Sequence, residues 1–321
     1  MSAIGTAASR SADAALELFF RLAATGLFPA RVFLSSLPAQ LSARTGRLNL
    51  EIVSHCWNYA HLLAYQLSSL VHHPPTRIRV RMTVFFSPED RKTADLLRFF
   101  GDMRVAGVDW NWQALDTNLL FRRAIGRNRA ALATGSDWIW FTDCDVVFQQ
   151  GCLDALAEQL QGRTDRLVYP RQEQVTSLLS DDDPMLNISV DPPRLVGIDP
   201  ARFTPRSHDE ARGPFQITHG EVARAAGYCA SLSFYQKPAD RWRKAREDRA
   251  FRWLLRTDGV ALDVPGAYRI RHASKGRYGD RRVTAWIRKS SRRLGSWLQE
   301  RRHQPVPTDE KFSLPPSRSE K

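Results

Sequence analysis

An α/β fold built on a mostly parallel sheet, with helices on both faces, is predicted by three features of the 321-residue sequence. From Leu48 onward, strand-length apolar runs alternate with segments of helical period. The run Trp138-Ile139-Trp140-Phe141 is apolar on both parities, as a strand covered on both faces must be. Two carboxylates, Asp143 and Asp145, close that run, where open α/β sheets hold their ligands.

Residues 1–46 read as an extension, with a short amphipathic helix (Ala15, Leu16, Phe19, Phe20, Ala23) and a Pro/Ser-punctuated stretch that packs on the core or touches a membrane. The α/β domain is expected over 47–280. Its first strand is Leu48 to Val53, followed by Asn58 as a helix cap and a face of Tyr59, Leu62, Leu63, Gln66, Leu67, Leu70 and Val71. Ile78 to Phe86 is a second strand, and Ser87-Pro88-Glu89-Asp90 has the chemistry of a helix start, with Gly101 as its stop. Met103 to Trp110 is the expected third strand and 117–134 a helix ended by Gly135.

After Gly151 come a helix carrying Leu153, Leu156 and Leu160, a strand at Leu167-Val168-Tyr169, and an irregular stretch over 171–213 that resembles an active-site loop. Asp181-Asp182-Asp183 within it is read as a solvated turn. Segments 214–218 and 260–272 are later strands flanking a helix from Glu247 to Arg256. Residues 281–303 place Trp286, Ile287, Leu294, Trp297 and Leu298 at helical intervals among Lys and Arg, a basic amphipathic helix suited to an anionic membrane or to the core. Residues 304–321 read as a disordered tail.

The net charge of +13 and pI of about 10.1 call for an anionic partner, and more than half of the excess lies in 281–303. Four scattered cysteines, Cys56, Cys144, Cys152 and Cys229, argue against a disulfide framework or structural zinc. Apolar stretches near the N-terminus are cut by Arg21 and Arg31, so neither a membrane span nor a signal peptide is expected, and the protein is placed in the cytoplasm, peripherally on the inner membrane face at most.

Carboxylates two apart on an extended chain point the same way, so Asp143 and Asp145 suit a hard divalent cation, Mg²⁺ or Mn²⁺. Such a cation neutralises a departing diphosphate. Glu247-Asp248 opens a helix, where acids are favoured by the dipole alone, yet opposite a metal site one of them can take a proton from an acceptor hydroxyl. His272 is a surface or hydrogen-bonded histidine or a metal ligand, and Lys275 and Arg277 flank Gly276 in a loop able to close over phosphates.

The ordered series of motifs resembles family-2-like nucleotide-sugar glycosyltransferases of the GT-A fold, over roughly 48–277. Asn58-Tyr59 is similar to the family's early Tyr/Asn turn, Arg127-Asn128 to its Arg-Asn-x-Gly helix, and Asp143-Cys144-Asp145 to its Asp-x-Asp. Arg224 to Tyr228 resembles the acceptor-side segment, Glu247-Asp248 the Glu-Asp pair, and His272 the late metal-binding histidine. The resemblance implies a GT-A (Rossmann-like) sheet and an inverting transfer of a sugar from a nucleotide-diphosphate sugar to a glycan, lipid-linked or small-molecule hydroxyl. It implies Asp145, Asp143 and His272 at the metal, Asn58, Arg127 and Asn128 at the donor, UDP as first nucleotide, and Asp248, or else Glu247, as base. One departure stands out: the second strand ends in Phe85-Phe86-Ser87-Pro88-Glu89-Asp90 rather than Asp-Asp-Gly-Ser, which bears on the nucleoside pocket.

Two other classes compete. Asp-Cys-Asp-Val-Val after an apolar strand also looks like the nucleophile motif of haloacid-dehalogenase-like phosphatases, with Asp143 attacked, although that motif usually opens its domain. Nucleic-acid binding is suggested by charge alone, without a reading motif or stacking platform, and is not expected.

Overall fold

The computed structural model describes residues 15–272, apart from 17, 21, 35 and 243–245 and the side chain of Leu27. Lys275, Arg277 and the segments 281–303 and 304–321 lie outside these residues.

Seven strands form the central sheet: β1 (Leu48–Cys56), β2 (Ile78–Phe86), β3 (Val108–Ala114), β4 (Trp138–Phe141), β6 (Leu167–Pro170), β9 (Gln216–His219) and β10 (Val260–Leu262). Their spatial order is β10-β6-β9-β4-β1-β2-β3. All neighbouring pairs are parallel except those of β9, which runs against both β4 and β6. The fold is therefore mixed α/β.

The chain lays down β1, β2 and β3 outward in one direction, then returns to set β4 on the other side of β1. At such a reversal the connections leave the carboxyl ends of the two strands in opposite directions and open a crevice between them. Here His55 lies at the carboxyl end of β1 and Tyr59 in the segment after it, while the segment leaving β4 carries Asp143 and Asp145.

Helices α1 (Ala60–His72), α2 (Arg91–Gly101), α3 (Thr117–Leu120) and α4 (Arg123–Ala133) make the crossovers, and α5 (Cys152–Gln159) and α6 (Gly220–Ala226) follow. Helix α2 starts on Asp90, whose carboxylate accepts from the Thr93 amide (3.3 Å) and hydroxyl (2.6 Å) and from the Asn58 amide (2.6 Å). Asn58 is not a cap. It takes a left-handed φ of 57° just before α1, and Tyr59 is the N-cap residue. The expected helix over 117–134 is broken at Arg122, whose φ/ψ of −108°/87° lets its guanidinium reach the Lys237 carbonyl. The third strand begins later than expected because Gly107, at φ +75°, turns the chain first, and Val105 and Val108 form the bridge around it.

A second sheet comprises β5 (Val146–Phe148), β7 (Gln172–Thr176), β8 (Phe203–Ser207) and β11 (Ala267–Arg269), in the order β5-β11-β7-β8. Two of these strands lie in the stretch expected to be irregular. Their pattern is obscured because β7 buries an acid, Glu173, which is 1% exposed. Arg269 of β11 binds Glu173 through two nitrogens at 2.7 and 2.6 Å, and His208 Nε2 stands 3.1 Å away. Asp183 of the acidic triplet pairs with Arg202 at 2.6 Å.

Burial raises the Glu173 pKa, but the Arg269 and His208 contacts outweigh it and bring the group from its ordinary 4.5 to about 2. A depressed carboxylate stabilises the fold above its unfolded pKa and loses that contribution as pH falls toward the folded value. The stabilisation, about 3 kcal/mol, is thus complete above about pH 5 and fades as acid protonates the group. Glu173→Gln is expected to lower stability at neutral pH by that order and to flatten the fall between about pH 5 and pH 3. Denaturant titrations of both proteins across that range check it.

Candidate active site

Pairing of β5 with β11 brings the far end of the chain to Asp145. Val146 pairs with Arg269, the Ile270 amide donates to the Asp145 carbonyl at 2.9 Å, and His272 follows two residues later. His272 Nε2 lies 3.8 Å from Asp145 Oδ2, with the side chains 5% and 6% exposed. Tyr59 packs edge-on against the His272 ring at 5.3 Å. Asp143 to Asp145 forms a turn beyond β4 rather than the extended segment expected. Gln66 of α1 holds that turn, its amide donating to the Asp143 and Val146 carbonyls at 2.9 and 3.0 Å.

Asp143 faces two guanidinium groups from α4. Arg123 Nη1 and Arg127 Nη2 (3.3 Å) both bind its Oδ1. Arg123 Nε also binds Glu247 Oε1 at 3.0 Å, and so bridges the turn after β4 to α7 (Glu247–Leu255). Burial would lower the Arg123 pKa, but Asp143 and Glu247 raise it well above its ordinary value. Burial raises that of Glu247, and Arg123 and Arg127 more than reverse it, so Glu247 is held as a carboxylate.

Helix α4 reaches this position because of Gly126. A Cβ there would lie 2.3 Å from His55 Nε2 and 2.9 Å from the Phe85 ring, so a larger residue would lift both arginines away. His55 stacks on Phe85 at 5.0 Å, and burial followed by Arg127 and Arg123 pushes its pKa well down, leaving it neutral.

Arg127, 0% exposed, is the hub behind the acids. It donates to the Tyr228 hydroxyl (2.8 Å) and the Thr142 carbonyl (3.1 Å), and the Tyr228 hydroxyl donates to Gln216 (2.9 Å). The Gln216 amide donates to the Asp248 carbonyl at 2.9 Å, and the Asp248 carboxylate lies beside Gly213. Asn128 accepts from the Tyr228 amide at 2.9 Å and so braces the hub. Asn58 lies in the loop after β1, held to Asp90, while Glu89 accepts from Thr117 at 2.7 Å. Both acids between β2 and α2 are thus engaged within the protein.

His55, Tyr59, Arg123, Asp143, Asp145 and His272, with Cys144 and Trp242, line one cleft. Its free volume is about 20 Å³, room for roughly one water, so a diphosphate enters only if a side chain such as Trp242 or Arg123 moves. A larger groove, about 710 Å³, opens elsewhere, over Arg47, Arg79, Arg81 and Asp109 at the amino-terminal ends of β1–β3, and contains no histidine. Among the described residues, no three His, Cys, Asp or Glu side chains converge as a ready-made metal cage. Asp145 and His272 nonetheless fit a Mn²⁺ or Mg²⁺ that takes its remaining ligands from phosphate oxygens and water, the usual arrangement for phosphate-bound ions.

Sequence reasoning missed Arg123, although it lies four residues before Arg127, one turn away on the same helical face. His219 is structural: its Nδ1 accepts from the Glu221 amide at 3.3 Å and its ring packs on Trp138 at 4.9 Å. Arg224 donates to the Thr134 and Ser136 carbonyls, both at 3.2 Å.

No protein-family model and no curated protein matches the chain. Among solved structures it is similar to a mannosyltransferase from Pyrobaculum calidifontis in complex with GDP-Man and Mn²⁺, at 16% identity and a TM-score of 0.41 over 91% of this chain and 77% of that one. It is also similar to S. aureus TarS 1–349, at 11% identity and a TM-score of 0.38 over 70% of this chain and 58% of that one. At such identities and scores neither likeness bears on chemistry, which rests on the residues of the cleft.

Proposed function

We propose that the protein is a metal-dependent, inverting glycosyltransferase that moves a sugar from a nucleoside-diphosphate sugar to a hydroxyl on a glycan or lipid-linked acceptor. The observation that carries it is the convergence of Asp145 and His272 at the strand-order reversal, beside an arginine bridge from Asp143 to Glu247. When bound, Mn²⁺ or Mg²⁺ would neutralise charge on the departing diphosphate. Asp145 and His272 hold the ion. Asp143, bound by two guanidinium groups, orients the donor from the side.

Asp248 is the base of choice. Glu247, ion-paired with Arg123 at 3.0 Å, is a weak proton acceptor, whereas Asp248, next on the same helix, has its carboxylate beside Gly213. Arg123 stands where a phosphate would arrive and offers it a fork of donors. The charge of Lys275 and Arg277 suits phosphate, and the composition of 281–303 suits an anionic membrane or the core. The same two guanidinium groups disfavour Asp143 as a phosphatase nucleophile, since they stabilise the carboxylate it would have to surrender.

A screen of UDP- and GDP-sugars, by thermal shift and by diphosphate release with and without Mn²⁺, tests this function. One donor is expected to stabilise the protein and turn over only with metal. Absence of any donor response in Mn²⁺ and Mg²⁺, or Mg²⁺-dependent hydrolysis of aryl phosphates abolished by Asp143→Asn, overturns it.

A further inference from the structure

The groove of about 710 Å³ at the amino-terminal ends of β1–β3 opens where α4 stops covering one face of the sheet. Helix α4 lies over the carboxyl half of that face, where Gly126 meets His55 and Phe85. Nearer the amino ends the strands alternate, with Leu48, Leu50, Ile78 and Val80 buried on one face and Asn49, Arg79, Arg81 and Asp109 exposed on the other. Arg47 before β1, the Ala106-Gly107 turn and Gly135-Ser136 after α4 complete the walls. A cavity of this size accommodates a small molecule of several groups.

The charge of the groove is lopsided. Arg47, Arg79 and Arg81 line it with one acid, Asp109, which leaves two positive charges in excess. Strand register sets Asn49 beside Arg79 and Arg81 beside Asp109, so these side chains share one surface. Arg81 meets Asp109 at 3.6 Å, whereas neither Arg47 nor Arg79 forms an ion pair among the described residues.

Flanking charges do not restore the balance. Glu51, 4% exposed, accepts from Thr83 at 2.6 Å, and Asp137 accepts from the Asn49 amide at 2.8 Å. Arg77 is taken by Glu158, Arg44 lines a separate cavity, and Asp102 and Arg104, ahead of the Gly107 turn, offset each other in sign. Like charges gathered on one surface repel, and an anion bound among them relieves that repulsion.

We propose that this groove binds a small molecule carrying two or more phosphate groups. Each guanidinium offers a planar fork that matches phosphate oxygens, and arginine rather than lysine at all three positions favours such paired contacts. Arg79 and Arg81 stand two residues apart on one strand, roughly 7 Å, and Arg47 flanks the neighbouring strand, a spread that spans two phosphates rather than one. From Asn49 at this end of β1 to Cys56 at the other is roughly 23 Å, so the groove is separate from the cleft of Asp145 and His272 and does not depend on the proposed glycosyl transfer.

Isothermal titration of the full chain with tripolyphosphate, in EDTA so that no cation carries phosphates into the cleft, tests it. Binding with a Kd of about 10–100 μM is expected. Arg47→Gln/Arg79→Gln/Arg81→Gln is expected to weaken it at least about tenfold at an unchanged melting temperature, because all three residues are exposed. A control, Arg31→Gln/Arg91→Gln/Arg194→Gln, removes the same charge from exposed positions outside the groove and is expected to cost under about threefold. Asp109→Asn, which keeps every arginine, is expected to tighten binding by about threefold. No binding up to about 1 mM, equal weakening by the two triple variants, or no tightening in Asp109→Asn overturns the proposal.

Discussion

Asp145→Asn is expected to reduce sugar transfer by about 10³-fold, about 4 kcal/mol of transition-state stabilisation, while leaving the fold unchanged. The amide has the shape of the carboxylate but lacks its charge, and a cation between Asp145 and His272 would lose its one anionic protein ligand. The structural role of residue 145 is carried by its backbone, whose carbonyl accepts from Ile270 at 2.9 Å and does so equally in the variant. Steady-state turnover of the donor found by screening, together with Mn²⁺ titration followed by electron paramagnetic resonance, separates loss of metal affinity from loss of chemistry. Wild-type turnover at saturating Mn²⁺ would remove Asp145 from the mechanism.

Arg127→Met is expected to destabilise the protein by about 3–5 kcal/mol, the usual cost of removing one partner from a buried charged network. Methionine fills much of the same volume, so the loss is mainly polar. The Thr142 carbonyl and the Tyr228 hydroxyl lose their donor, and Asp143 loses its contact with Arg127. The effect should reach the site as well, because the Tyr228–Gln216–Asp248 chain hangs from this guanidinium. Urea unfolding measures the first effect. Acceptor KM measures the second, and a change under about 1 kcal/mol in stability would show that Arg127 is dispensable to the fold.

Much of the sheet was legible in the chain because its signals are local. The strands at Leu48, Ile78 and Trp138 are runs of apolar residues, and burial on both faces demands such runs whatever lies beside them. The start of helix α2 was legible in Ser87-Pro88-Glu89-Asp90, although the N-cap is Asp90 rather than Ser87. The strands at Gln172 and Phe203 were not legible. Their stability depends on a buried Glu173 satisfied by Arg269, 96 residues away, and no local pattern announces a distant partner. Asn58 was misjudged for a similar reason: its left-handed backbone is held by Asp90, the cap of α2, 32 residues on.

By itself the sequence determined the α/β class, the run of crossovers, and the residue types available for metal and proton chemistry: Asp143, Asp145, Glu247, Asp248 and His272. Tertiary structure alone decided which of them meet. Asp145 and His272 are 127 positions apart and come together because β5 pairs with β11. Asp143 is drawn to Arg123 and Arg127 because Gly126 lets α4 approach β1. Periodicity and capping are short-range and can be read from neighbours along the chain. Which carboxylate faces a guanidinium and which faces an imidazole is set by strand register and helix approach, and those exist only once the core has closed.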